Sequence, residues 1–113
     1  MKLVKKEKSL TVQVTDSCRA TEYPGGDRDL WAAVIEIKGR YPDEGSTINE
    51  VCKELVFVSR GQGRITVGEE TFNIGEGDMI LIEPGELFFW EGEMTLVMPC
   101  APAWYPEQHK TIK

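Results

Sequence analysis

Glu54-Leu55-Val56-Phe57-Val58-Ser59-Arg60-Gly61 and, after a short interval, Gly77-Asp78-Met79-Ile80-Leu81-Ile82-Glu83-Pro84-Gly85 are the two passages from which the rest of the chain is read. Each is an apolar run of strand length that ends on a glycine, the second through Pro-Gly. Short runs rich in Val, Ile and Phe between turn residues are strand signals. Successive side chains of a strand point to opposite faces. Glu54, Val56 and Val58 therefore share one face, and Leu55 and Phe57 the other. Proline presets the start of a turn, and glycine reaches positive φ without steric cost.

The same period of two extends in both directions. Leu10, Val12 and Val14 alternate with polar residues, and Trp31, Ala33, Ile35 and Ile37 do so in the next long run. Leu55–Val58, Ile65–Val67, Phe72–Ile74, Met79–Ile82, Leu87–Trp90 and Met94–Met98 follow in close succession. From Glu54 onward a strand is predicted about every eight to ten residues, the spacing of sandwiches and barrels. Tyr23-Pro24-Gly25-Gly26-Asp27 is predicted as a loop. Gly61-Gln62-Gly63, Gly68-Glu69-Glu70, Gly75-Glu76-Gly77-Asp78 and Glu83-Pro84-Gly85 are predicted as hairpin turns. The two Gly-x-Gly stretches lack the helix and lysine of a phosphate loop. No segment carries a helical stripe beyond a short turn near the C-terminus. The expected fold class is all-β, an antiparallel barrel or double sheet, with residues 1–113 forming one domain.

Thirteen Lys and Arg against nineteen Asp and Glu leave a net charge of −6 on 113 residues. A surface of that sign repels phosphate backbones and anionic lipid, so neither nucleic acid nor membrane is expected as a partner. Lys2, Lys5, Lys6 and Lys8 form the one basic cluster, and it reads as a solvated end. No apolar stretch follows it to make a signal peptide, and none reaches the ~20 residues of a membrane helix. Cys18, Cys52 and Cys100 are odd in number and widely spaced, which fits neither a disulfide framework nor a zinc ribbon. Reduced thiols in a cytoplasmic protein are the plain expectation.

The two opening passages carry a resemblance. The region from Gly39 to Trp90, extending to about residue 99, is similar to the conserved barrel motifs of cupins, which are small jelly-roll β-barrels (double-stranded β-helices). The Glu-to-Gly half of the first cupin motif matches Glu54 to Gly61. The Gly-Asp, apolar strand and Pro-Gly of the second match Gly77 to Gly85. Where the first motif has two histidines, this chain has Thr47 and Asn49, or Ile48 and Glu50 at one residue's shorter spacing. The histidine of the second motif falls on Phe88. Of the ligand positions the resemblance implies, Glu54 alone keeps its residue type. Imidazole is the usual ligand of zinc, iron, nickel or copper, and a divalent site needs about three protein ligands. His109 is the only histidine. No metal and no other cofactor is therefore expected.

The candidate site follows from the same alignment. Glu54, on an interior face, would be desolvated and its pKa raised into the range of an acid or base. Phe88 and Trp90 share a face and would wall an apolar pocket, with Tyr41, Thr47, Asn49 and Glu54 as its polar groups. Cys52 and Cys100 read as inert thiols near the rim, and His109 as a surface residue of the tail; a tail folded back over the barrel mouth would instead make Glu107, Gln108 and His109 relevant. The leading expectation is a small-molecule-binding cupin without a metal. The resemblance suggests a carbohydrate or another polar metabolite. Two alternatives accompany it. One is an isomerase or lyase using Glu54 as acid or base, with a weak metal on Glu50, Glu54 and Asn49 as one variant. The other is a dimeric interaction module with a filled barrel. Exposed apolar strands need cover, so a homodimer is expected.

Overall fold

The computed structural model, which describes every residue from Met1 to Lys113, has nine strands, and alternation of apolar with polar residues marks six of them. The nine are β1 (Leu10–Thr15), β2 (Cys18–Glu22), β3 (Trp31–Tyr41), β4 (Ser46–Asn49), β5 (Lys53–Val67), β6 (Glu70–Gly75), β7 (Met79–Ile82), β8 (Leu87–Ala101) and β9 (His109–Ile112). All pairings are antiparallel. The order β1-β2-β3-β8-β4-β9 runs through one continuous sheet, and β5 joins it by pairing with β6, β7 and β8. The result is the antiparallel barrel expected from the pattern, with the jelly-roll form that the resemblance implies.

The inward face is the one the alternation marks. Ile65 lies opposite Trp90, Val67 opposite Phe88, and Val58 and Ile35 both opposite Leu96. Val56, Val58, Ile65, Ile82, Trp90 and Leu96 are closed to solvent. Each such side chain contributes roughly 1.5–3 kcal/mol over its exposed state. These residues belong to the packed core of the barrel, and Trp90 also borders a cavity.

One predicted turn is not a turn, and two predicted strands are one. Gly61-Gln62-Gly63 lies inside β5, which runs unbroken from Lys53 to Val67. Leu87–Trp90 and Met94–Met98 are likewise one strand, β8. Both strands bend and stay paired. The register shifts between Val58 and Arg60, and Gly63 sits directly opposite Gly92. There the backbones come too close for side chains: a Cβ on Gly92 would lie 2.6 Å from the Gly63 Cα. Glycine within a strand marks this close approach as readily as it marks a turn. Alternation on either side looks the same in both cases.

β2, β4 and β9 lie outside the sequence prediction, because none carries an apolar alternating run. Their partners define them instead. β1 keeps its predicted alternation, but Leu10, Val12 and Val14 remain about half exposed. They lie at the open side of the barrel rather than in its core.

Candidate functional site

The chain's end builds half the site. A short 3₁₀ turn at Pro106–Gln108 leads into β9, which pairs with β4 so that His109 lies directly opposite Asn49. The expectation of a surface histidine is thus overturned. The open edge of β4 captures the tail, since backbone groups at a strand edge seek partners. Gln108 is carried into the interior with it and is 2% exposed.

Five side chains then join in one hydrogen-bonded chain. The Gln108 Oε1 accepts from the backbone N–H groups of Val51 and Cys52, at 3.2 and 3.0 Å. Its Nε2 donates to Asn49 Oδ1 at 3.2 Å. Asn49 Nδ2 donates to Glu54 Oε1 at 2.5 Å, and Asn49 Oδ1 lies 2.7 Å from His109 Nδ1. His109 Nε2 is 3.0 Å from the Tyr41 hydroxyl. Asn49 and Thr47 are fully buried.

Burial governs the titrations. It raises the Glu54 pKa above the ordinary carboxylate range, against the lowering effect of the Asn49 hydrogen bond. It lowers that of His109, which favours the neutral imidazole. It lifts the Tyr41 hydroxyl well above the usual phenol range, with Cys18 and Glu54 adding to the effect. The thiols of Cys18 and Cys100 are pushed up to about 12 by burial, and that of Cys52 also rises. All three cysteines are free and buried. Protonated thiols are poor nucleophiles.

Beside this chain lies a cavity of about 480 Å³. Its floor and walls include Trp31, Tyr41, Phe88, Trp90, Trp104 and His109, with Glu54 and Cys100 among them. Val12 and Val14 of β1 line it too. The barrel is therefore not filled, contrary to the interaction-module alternative. Small side chains on the neighbouring strands, Ala20 and Ala33, leave the space. One buried side-chain polar atom in the whole structure has no hydrogen-bond partner: the indole Nε1 of Trp31.

Of the residues singled out in the sequence, Tyr41, Glu54, Phe88 and Trp90 come together on the cavity wall. Phe88 and Trp90 meet edge to face, with ring centroids 6.1 Å apart. Thr47 is not on that wall; its hydroxyl donates to the Phe88 carbonyl at 3.2 Å. Asn49 stands behind the wall and reaches the cavity through Glu54 and His109. Trp31, Trp104 and His109 were not in the sequence-level site. Trp31 heads a predicted strand, but its inward neighbours gave no sign of an open space.

The residues at the cupin ligand positions do not fit a metal. Asn49 presents its amide N–H₂ to Glu54, and its oxygen already faces two nitrogens. Phe88 offers no donor atom. Glu50, the third member of the weak-metal variant, turns outward to an ion pair with Lys110 at 3.0 Å. That variant is corrected accordingly. No three His, Cys, Asp or Glu side chains converge anywhere in the chain.

Comparison with solved structures places this geometry. An RmlC-like cupin from Shewanella frigidimarina superposes with a TM-score of 0.72 at 16% identity, over 88% of this chain and 88% of that one. The chain has the cupin fold. The β-barrel of Pac13, a nucleoside dehydratase from Streptomyces, superposes with a TM-score of 0.89 at 18% identity, over 100% of this chain and 92% of that one. Ectoine synthase from P. lautus gives 0.73 at 18% identity, over 100% and 91%. Residues 54–93 of the chain match the family of AraC-like ligand binding domains. No curated protein sequence matches the chain. No helix is long and apolar enough to cross a membrane.

Proposed function

We propose that residues 1–113 form one metal-free cupin domain that binds a small, uncharged, hydroxyl-bearing ring molecule, a sugar or a sugar derivative such as a nucleoside. The observation that carries this reading is the open, aromatic-lined cavity that holds Trp31, Trp90, Trp104 and Tyr41 together with Glu54. Aromatic faces suit a flat or ring-shaped ligand. Glu54 accepts one hydrogen bond, from Asn49, and its carboxyl group lines the same space. Pac13 variants with a tyrosine or a histidine replaced have been solved with uridine, which supports a sugar-derivative ligand for this barrel shape.

All three tryptophans of the chain line the cavity, so intrinsic fluorescence reports on it. Uridine and ribose are the probes. A saturable shift with at least one of them is expected, and Glu54→Ala should abolish it. No shift with either probe would refute the ligand class. A shift untouched by Glu54→Ala would refute the assigned pocket.

A second reading, an isomerase or lyase, draws on the raised pKa of Glu54 and its place on the cavity wall. A carboxyl group whose pKa is raised by burial is suited to proton transfer. Incubating the protein with a carbonyl-bearing sugar in deuterated water tests this reading. Deuterium gained next to the carbonyl, and lost in Glu54→Gln, is the result expected of an enzyme.

The three free thiols fit a cytoplasmic setting. The outer face of β5 and β7 sets Leu55 opposite Leu81 and Phe57 opposite Met79, all four exposed. A contiguous apolar patch of this kind calls for cover, and a second copy of the chain is the proposed cover. Sedimentation at micromolar concentration is expected to give a dimer mass, and Met79→Lys a monomer. A monomeric wild type would end the dimer proposal.

A further inference from the structure

Asn49 could satisfy its neighbours in either of two orientations. Turned as found, it donates to Glu54 and accepts from His109. Turned over, it would accept from a protonated Glu54 and donate to His109 Nδ1. Neither neighbour decides between them, because a carboxyl group serves as donor or acceptor and an imidazole exists as two tautomers. Gln108 does decide. Its Oε1 is pinned by the backbone N–H groups of Val51 and Cys52, which can only donate. Its other end must therefore be the amide N–H₂, which meets the Asn49 oxygen at 3.2 Å. An N–H₂ facing an N–H₂ would be repulsive, so the oxygen of Asn49 stays on that side. His109 Nδ1, 2.7 Å from the same oxygen, must then carry a proton.

We propose that Gln108 is a positioning residue: acting through Asn49, it holds the proton of His109 on Nδ1 and makes the Tyr41 oxygen a hydrogen-bond acceptor toward the cavity. With Nδ1 protonated, neutral His109 presents the bare Nε2 to Tyr41, 3.0 Å away. The Tyr41 hydroxyl must donate there, which leaves its oxygen lone pairs for the ligand. In the opposite tautomer Nε2–H would donate to Tyr41, and the phenol proton would face the cavity. Two backbone amides of the β4–β5 link thus determine whether the pocket wall accepts or donates at Tyr41. This selects a ligand that offers a hydroxyl or N–H proton to Tyr41. The ligand part rests on the proposed function; the tautomer is a property of the protein alone.

His109 is the only histidine, so its two ring nitrogens are read without ambiguity by long-range ¹H–¹⁵N correlation NMR on labelled, ligand-free protein. At mildly alkaline pH the wild type is expected to show protonated Nδ1 and bare Nε2. Gln108→Glu keeps the acceptor for Val51 and Cys52 but removes the donor to Asn49. Those two N–H groups favour the ionised carboxylate. Asn49 should then turn over, and the Nε2–H tautomer should become the major form. Gln108→Met removes both halves and should leave a mixture of tautomers. A wild type with Nε2–H overturns the proposal whatever the variants do. So does a folded Gln108→Glu or Gln108→Met protein that keeps Nδ1–H alone. Because no ligand is present, failure here is distinct from failure of uridine or ribose to bind.

Discussion

Replacing Asn49 by leucine, a side chain of nearly the same shape, is expected to cost about 3–5 kcal/mol of stability. The residue is fully buried and serves three groups at once. Leucine would strand the Gln108 amide, the His109 Nδ1–H and the Glu54 carboxyl group in a dry interior. Each lost partner costs about 1–3 kcal/mol, and cavity water near Glu54 and His109 would recover part of it. Urea unfolding followed by fluorescence measures the loss. A change below about 1 kcal/mol would mean that these groups are not bonded to one another.

Asn49→Asp separates the network from simple packing. The aspartate still accepts from Gln108 and His109, but it sets a second carboxyl group against Glu54. Like charge adds to burial, so the carboxyl pair takes up protons more readily in the folded state than in the unfolded chain. The folded pKa values are raised, so the folded state binds more protons wherever the unfolded carboxyls are ionised. Stability must then fall as pH rises. Asn49→Asp should therefore lie closest to wild type at acid pH and weaken progressively above the ordinary carboxylate range. A stability difference that does not depend on pH would overturn this account of the pair.

Gly92→Ala is the second large effect, an expected loss of roughly 3–5 kcal/mol or outright failure to fold. Gly92 has φ of +131°, and an added Cβ would meet the Gly63 Cα at 2.6 Å and the Gln62 carbonyl oxygen at 2.7 Å. Both obstacles are backbone, so no side chain can turn aside. Gly77 supplies the control. Its φ is +89°, but nothing lies within 4 Å of the added carbon. Gly77→Ala carries the dihedral strain alone and should cost about 1–2 kcal/mol. Equal losses at the two positions would refute the tight crossing of β5 and β8 as the cause.

That crossing also shows how a legible signal can be misassigned. Gly61, Gly63 and Gly92 stand out in the sequence as breaks in apolar runs. A break at a turn and a bend in a continuing strand leave the same alternation on either side. The distinction depends on whether another backbone passes overhead, and no local pattern records it. Strand alternation, a local property, puts Phe88 and Trp90 on one face and Glu54 with Val56 and Val58, and the resemblance to cupins implies that these faces are the inner ones. Thr47 shares their side of the sheet, but its hydroxyl is taken by the Phe88 carbonyl, a partner 41 positions away in the chain. His109 had no apolar pattern around it and gave no sign of entering the barrel. Its position comes from the unpaired edge of β4, which exists only once the sheet has formed.

The sequence by itself determined the all-β class and which residues of most strands share a face, because both depend on residue type and on the two-residue period, which neighbours along the chain dictate. The inward sense of Phe88 and the replacement of imidazoles at the ligand positions are what the resemblance to cupins implies. Tertiary structure alone decided that the barrel keeps an open cavity and that Tyr41, Asn49, Glu54, Gln108 and His109 share one proton-bearing chain. Cavities and hydrogen-bond direction arise from groups distant in sequence meeting in a dry space, where every donor must find an acceptor.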